Sequence, residues 1–150
     1  MKTLWCAVIL LLAGQMLFAQ PMTDSKGHRI LDYKGRVYLE SKKLGKITKD
    51  SIVKNAQGKK VAFVRQGGIL VDVNGKTLGH MGKDGKTYYN ENGQLVFQVK
   101  ENTNTETCDI LDADGNVIGN VHSSYKPLVC AMHCFMNGMD PRTHQKVAKN

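Results

Sequence analysis

A short unit that recurs along most of the chain limits its fold more than any other feature of the sequence. Copies occupy residues 37–47, 54–64, 71–81, 89–99 and 111–121, and the clearest three read VDVNGKTLGHM, YNENGQLVFQV and LDADGNVIGNV. The turn positions are 17, 17, 18 and 22 residues apart and fall at Ser41, Gly58, Gly75, Gly93 and Gly115. A period in this range indicates a repeat architecture in which each copy is one small structural unit.

The residues around each turn are those of a tight hairpin. Four units place an Asn or Asp three residues before the glycine, at Asn55, Asp72, Asn90 and Asp112. Such a side chain can accept a hydrogen bond from the backbone N–H two residues later, and glycine tolerates a positive φ that strains other residues. These features favour a type I turn closed by a glycine bulge. The first unit has Tyr38 and Ser41 at the two positions, which predicts a looser turn.

Apolar residues follow every turn and predict β-strands. The third and sixth residues after each turn are apolar in all five units, and the fourth is glycine or alanine except at Phe97. The third and sixth residues point to opposite faces of a flat strand. Two alternatives therefore stay open: a bulge at the small residue restores a single apolar face, or both faces of the sheet are partly covered.

Second turns between the units complete an all-β prediction. They lie at residues 33–35, 49–51, 66–68 and 83–85, so each repeat contributes two short strands. We predict about ten strands, and a further one at residues 28–32, in an antiparallel meander of two-stranded hairpin repeats. The meander forms a single sheet or a rolled sheet, and its apolar face needs a cover. Residues 128–135, as a closing strand or a short helix, are the best candidate for that lid.

The N-terminus has the pattern of a secretory signal peptide. Lys2 precedes an apolar run at residues 4–13, and Ala19 is a small residue suited to the position before a cleavage site. We therefore expect a signal helix at residues 1–19, a β-repeat domain at residues 20–136 and a loose polar tail at residues 137–150. No later segment reaches the roughly 20 apolar residues of a spanning helix. The expected location is the periplasm, the cell surface or the extracellular space, with no transmembrane span after cleavage.

Positive charge suggests a class of partner. Lys and Arg outnumber Asp and Glu by 21 to 13. This excess is typical of a solvated sheet surface, or of a protein that binds an acidic envelope polysaccharide or other anionic partner. Nucleic acid is not expected, because the chain is exported and its aromatic residues are few. The candidate binding face carries Tyr88, Tyr89 and Phe97, which can instead pack within the sheet, and lysine-lined turns at Lys59, Lys76 and Lys86. Self-association through a bare sheet face or through sheet edges is a further alternative.

Three cysteines follow the predicted signal peptide. In an oxidising compartment Cys108 can form a disulfide with Cys130 or Cys134, and all three can also remain buried thiols. A third alternative is a zinc site built on Cys130, His133 and Cys134. In an extended strand the two cysteines share a face that His133 does not, so three converging ligands would require a helix or a kink.

No catalytic constellation can be argued from the sequence. The histidines are scattered, and most carboxylates occupy turns, including the Asp112–Gly115 segment, which is better explained as a hairpin than as a calcium loop. The sequence predicts an exported, non-catalytic protein with a structural or binding role. The alternative is a metal-binding or redox protein that uses Cys130, His133 and Cys134.

The repeat units also carry a family resemblance. They resemble small exported β-strand-repeat proteins of unknown function from Gram-negative bacteria, whose units follow the pattern hydrophobic-x-Asp-x-Asp/Asn-Gly-Lys-x-Ile-Gly-x-Ile. The resemblance covers residues 37–135 and implies export and a hairpin-repeat fold, without implying catalytic or ligand residues. The closing segment departs from the pattern, because Cys130, His133 and Cys134 stand where aromatic residues are expected.

Overall fold

A computed structural model of the chain describes residues 27–136. The predicted signal peptide at residues 1–19 and the predicted tail at residues 137–150 lie outside the described residues. Within residues 27–136 no helix is long and apolar enough to cross a membrane.

Eleven strands and one 3-10 helix make up the described part of the chain. The strands are β1 Arg29–Leu31, β2 Arg36–Leu39, β3 Lys42–Ile47, β4 Ile52–Asn55, β5 Lys60–Arg65, β6 Ile69–Asp72, β7 Thr77–Met81, β8 Thr87–Asn90, β9 Leu95–Glu101, β10 Thr107–Leu111 and β11 Val117–His122. The 3-10 helix spans Ser123–Phe135 and follows β11 directly. This order confirms the all-β prediction, including the additional first strand.

The sheet is rolled and closed into a barrel. Each strand pairs antiparallel with the next along the chain, and β1 pairs with β11 through Arg29↔Gly119, Ile30↔Asn120 and Leu31↔Val121. This last pairing is parallel, because an up-and-down meander with an odd number of strands has its first and last strands running in the same direction. The predicted antiparallel meander is therefore confirmed from β1 to β11, and only the closing pair is parallel. Closure also leaves the described sheet no free edge, which argues against self-association through sheet edges.

The hairpin chemistry predicted for the repeats is present in all four Asx–Gly units. In the unit at Asp72, the Oδ1 atom accepts hydrogen bonds from the N–H groups of Asn74 and Lys76 at 2.8 and 2.9 Å. Asn55, Asn90 and Asp112 bind the N–H groups two and four residues later in the same way. The turn glycines have positive φ, as expected for this conformation: Gly58 80°, Gly75 83°, Gly93 74° and Gly115 84°.

The first repeat turns differently from the expected looser turn. Leu39 pairs directly with Lys42, so only Glu40 and Ser41 form the loop, and the positive φ falls on Glu40 at 54°. Ser41 therefore does not take the place of the glycine. Without an Asx acceptor or a glycine, this hairpin closes as a two-residue loop instead of the longer Asx–Gly turn.

A β-bulge follows every one of the five repeat turns. In the hairpin of β6 and β7, for example, Leu70 pairs with Gly79 and Val71 with Thr77, so Leu78 is the extra residue. The residues skipped in this way all lie three positions after the turn: Leu44, Val61, Leu78, Val96 and Ile118. The bulge restores a single inward face, as one of the two sequence alternatives requires. The bulged residue is the one immediately before the small residue, whereas that alternative placed the bulge at the small residue itself.

The closing segment lies inside the barrel instead of on an outer face of a sheet. We call Ser123–Phe135 the plug; its second half is buried at Val129, Cys130, Ala131, Met132, His133, Cys134 and Phe135. Arg29 donates a hydrogen bond from Nε to the Phe135 carbonyl at 3.1 Å, so β1 holds the end of the plug. Side chains fill a barrel of about eight strands, and wider barrels enclose space. Eleven strands therefore leave room that the plug occupies, and the lid prediction is corrected to a plug.

Two small residues of the repeat, Gly45 and Gly119, lie against the C-terminal end of the closing segment. A Cβ atom at Gly45 would lie 2.6 Å from Cε1 of Phe135, and one at Gly119 would lie 3.0 Å from Cε of Met136. A Cβ atom at Gly79 would instead meet the Tyr88 side chain. The fourth position is therefore small where the end of the closing segment or a tyrosine ring approaches the wall. Phe97, the exception, is itself fully buried in the core.

Gly45→Ala is expected to destabilise the barrel by about 3 kcal/mol, because the added methyl group would overlap both the Phe135 ring and the Lys54 carbonyl oxygen. Gly58→Ala is the matched control. It introduces the same methyl group at a turn with open space around it, and should cost only the roughly 1 kcal/mol of a strained positive φ. Urea unfolding of both variants measures the difference. Equal losses would show that the plug does not press on Gly45.

Candidate functional site

The barrel interior contains an aromatic and thiol cluster. Tyr88 of β8 stacks on Phe97 of β9 with ring centroids 4.8 Å apart and planes inclined by 12°. The ring of His133 in the plug lies 5.2 Å from that of Tyr88. All three side chains are buried, so this cluster packs the wall of the barrel against the plug.

The predicted binding face is divided between the two sides of the sheet. Tyr88 and Phe97 are cross-strand partners whose side chains are fully buried, whereas Tyr89 is half-buried outside and stacks on His80 at 5.8 Å. Adjacent residues of a strand point to opposite faces, so Tyr88 and Tyr89 cannot share a surface. The prediction of a common binding face for Tyr88, Tyr89 and Phe97 is therefore wrong, and packing explains two of its three residues.

Tyr88→Phe is expected to leave stability unchanged or to raise it by about 1 kcal/mol. The Tyr88 hydroxyl is buried and has no hydrogen-bond partner among the described residues, and burial raises its pKa well above the usual value. A buried polar group without a partner costs free energy that the phenylalanine does not incur. Thermal unfolding checks this. A loss above about 1 kcal/mol would reveal a partner for the hydroxyl.

The three cysteines among the described residues are free thiols, and all are buried. Burial raises the pKa of Cys130 to about 12. Burial, together with the nearby Cys130, also raises the pKa of Cys134. Both residues are on the plug, whereas Cys108 is on β10. Raised pKa values keep these thiols protonated near neutral pH, which makes them poor nucleophiles.

The described residues contain no group of three or more His, Cys, Asp or Glu side chains placed to hold a metal ion. The plug does place His133 on the same face of the helix as Cys130, because residues three apart eclipse in a 3-10 helix. The zinc and disulfide hypotheses for Cys108, Cys130, His133 and Cys134 stay predictions.

A row of positive charge crosses the outer wall of the barrel. In the strand register, Arg36 of β2 faces Lys46 of β3, Lys46 also faces Lys54 of β4, and Lys54 faces Lys60 of β5. We call these four residues the cationic row. Neighbouring strands are about 4.8 Å apart, so the row extends roughly 14 Å across the strands.

Three members of the row have no compensating carboxylate within residues 27–136. Arg36 forms an ion pair with Asp32 at 2.7 Å. No Asp or Glu among the described residues forms an ion pair with Lys46, Lys54 or Lys60. Like charges directly opposite each other on a sheet are destabilising. The row thus concentrates repulsion on one wall of the barrel.

The charge around the row is equally one-sided. Residues 42–65 contain eight Lys or Arg and a single carboxylate, Asp50, whereas residues 66–122 contain four Lys and eight Asp or Glu. Carboxylates of that second segment already have partners. Asp72 and Asp112 bind turn backbone, Glu91 pairs with Lys76 at 3.0 Å, and Glu101 pairs with Lys126.

The lysine-lined turns of the sequence prediction do not form one surface. Lys59 is exposed beside the cationic row, Lys76 is held by Glu91, and Lys86 lines a shallow outer groove with Asp84 and Glu101. Sequence reasoning identified turn lysines because they stand out in the repeat. It missed Lys46 and Lys54, whose alignment depends on the register of three hairpins. The sequence feature that could have identified these two residues is the local excess of lysine at residues 42–60.

Comparisons with known proteins identify no relative of this chain. The chain matches no protein-family model, and neither the curated proteins nor the solved structures include a match to it.

Proposed function

We propose that this chain is an exported, non-catalytic binding module that holds an anionic partner of the cell envelope on its outer surface. The cationic row is the single observation that carries this proposal. Export rests on the sequence of residues 1–19 and on the resemblance to exported repeat proteins.

The filled interior directs binding to the outside. Barrels that carry a small molecule keep an internal space for it. Here the plug takes that place, with Met132, Cys134 and Phe135 almost completely buried. A partner is therefore expected on the outer wall and not in the lumen.

The cost of the row favours binding over a purely structural role. Three adjacent like-charged pairs lower the stability of β2–β5, and a sequence shaped by stability alone would alternate the charges. Residues that break a local rule without an evident structural gain are typical of functional surfaces. An acidic partner would neutralise the row and remove the repulsion.

Export is tested by fractionating cells that produce the full chain and sequencing the N-terminus of the mature protein. We expect a mature protein that begins near Gln20 and is found outside the cytoplasm. An intact N-terminus in the cytoplasmic fraction would contradict this part of the proposal.

Anion binding is tested on two columns that carry an acidic and a neutral polysaccharide. The protein should be retained at low ionic strength on the acidic column only, and moderate salt should elute it, because salt screens exposed charges. Passage through both columns at low salt would contradict the proposed function.

A further inference from the structure

We propose that the cationic row is the binding site for a linear, carboxylate-bearing polysaccharide that lies across strands β2–β5. This inference rests on the proposed function and names its ligand class and its site. The chain of the ligand would run perpendicular to the strands, with successive carboxylates against Lys46, Lys54 and Lys60.

The geometry of the row suits a ligand with regularly repeating charge. Strand spacing places one cation about every 4.8 Å around the curved wall of the barrel. The row is composed mainly of lysine, and its one arginine is already bound to Asp32. Lysine acts as a hydrated point charge without the two-pronged geometry by which arginine selects phosphate or a single carboxylate. Such a surface favours a repeating polyanion over one discrete anionic group.

Aromatic side chains border the row on both sides. Tyr38 faces Lys43 across the hairpin of β2 and β3, and the Arg36 guanidinium lies 5.7 Å from the Tyr38 ring. Phe63 of β5 is half-buried on the outer face and pairs with Ile52. Partly exposed rings beside charged groups provide apolar surface for the faces of sugar rings.

Other anionic partners fit this wall less well. A membrane surface would be expected to meet exposed apolar residues, but the large ones that are exposed in the described part of the chain lie off the row, at Tyr33, Ile69, Val73 and Val117. The carboxylates of residues 66–122 in a second copy are less available, because Glu91, Glu101 and Asp112 already have partners. A protein partner would be expected to find an apolar centre, which the row lacks.

The test measures binding of the full mature chain to polygalacturonate, with its methyl ester, single-stranded DNA and anionic phospholipid vesicles as competing probes. The row variant is Lys46→Gln, Lys54→Gln and Lys60→Gln. The matched control is Lys83→Gln, Lys86→Gln and Lys100→Gln, which removes the same charge from exposed lysines outside the row.

We expect the native chain to bind polygalacturonate and not its uncharged ester. The row variant should lose about tenfold or more in affinity, and the slope of log Kd against log salt should fall by about one for each lysine removed. The control variant should change little. The melting temperature of the row variant should not fall, because its substitutions relieve repulsion, so lost binding would not reflect unfolding.

Three outcomes would overturn the inference in distinguishable ways. Equal losses in both variants would show that net charge and not the row binds, while the proposed function stands. Binding to DNA or vesicles in preference to polygalacturonate would overturn the ligand class alone. The absence of binding to every anionic probe at low salt would overturn the inference and the proposed function together.

Discussion

A chain that ends at His122, before the plug, is expected to lose its cooperative unfolding transition. The plug buries Tyr125, Val129, Met132 and Phe135, and each large apolar side chain contributes about 1.5–3 kcal/mol on burial. Their sum is comparable with the whole stability of a typical domain, about 5–15 kcal/mol. An unfilled barrel would also expose Tyr88 and Phe97 to solvent. Circular dichroism during urea unfolding, with size-exclusion chromatography, detects the loss.

Two controls separate the plug from the rest of the C-terminus. A chain that ends at Met136 keeps the plug and should keep the transition. In the full chain, Phe135→Ala should cost about 3–5 kcal/mol, because it removes a large buried ring. Ser123→Ala, at the exposed start of the same helix, should change stability by about 0.5 kcal/mol or less. A His122 chain that unfolds cooperatively at the native midpoint would show that the strands alone form the barrel.

Above pH 9 the free energy of unfolding is expected to fall steeply. Cys130 and Cys134 have raised pKa values in the folded protein, whereas unfolded thiols ionise near their ordinary pKa of 9.0. Unfolding therefore releases protons at high pH, so the stabilisation is complete below pH 9 and is lost as the pH rises towards the folded pKa of about 12 for Cys130. Each thiol contributes a slope that approaches about 1.4 kcal/mol per pH unit.

Urea unfolding between pH 8 and pH 11 measures this slope. With both thiols contributing, the expected slope is steeper than that of a single thiol, and Tyr88 adds to it above its ordinary pKa of 10.0. The variant Cys130→Ala, Cys134→Ala is the control, because it lacks both groups and should show a much shallower decline below pH 10. The same slope in the native chain and the control would mean that other groups cause the alkaline loss.

Local chemistry explains why the hairpins could be predicted from sequence. An Asx acceptor and a glycine three residues later specify a turn through contacts within five residues, as the bonds of Asp72 to Asn74 and Lys76 show. The first repeat was mispredicted for the same reason. It lacks both residues, so nothing local indicated that Glu40 would take the positive φ.

Contacts between distant residues explain what could not be predicted. The bulge at Val96 places Phe97 opposite Tyr88, with both side chains pointing into the barrel, whereas Tyr89 points outwards. A one-residue change of register reverses the faces of a strand, and the repeat pattern alone allowed both arrangements. The cationic row has the same origin, since Lys46 and Lys54 become neighbours only through strand pairing.

The amino-acid sequence by itself determined an all-β repeat protein, its turn positions, and the Asx and glycine residues that bend the chain, because each of these depends on backbone conformation over a few residues. Tertiary structure decided the closure of β1 on β11, the insertion of the plug, and the alignment of lysines on one wall. These depend on how many strands pair, on how wide a space they enclose and on which residues meet across it, and no short segment carries that information.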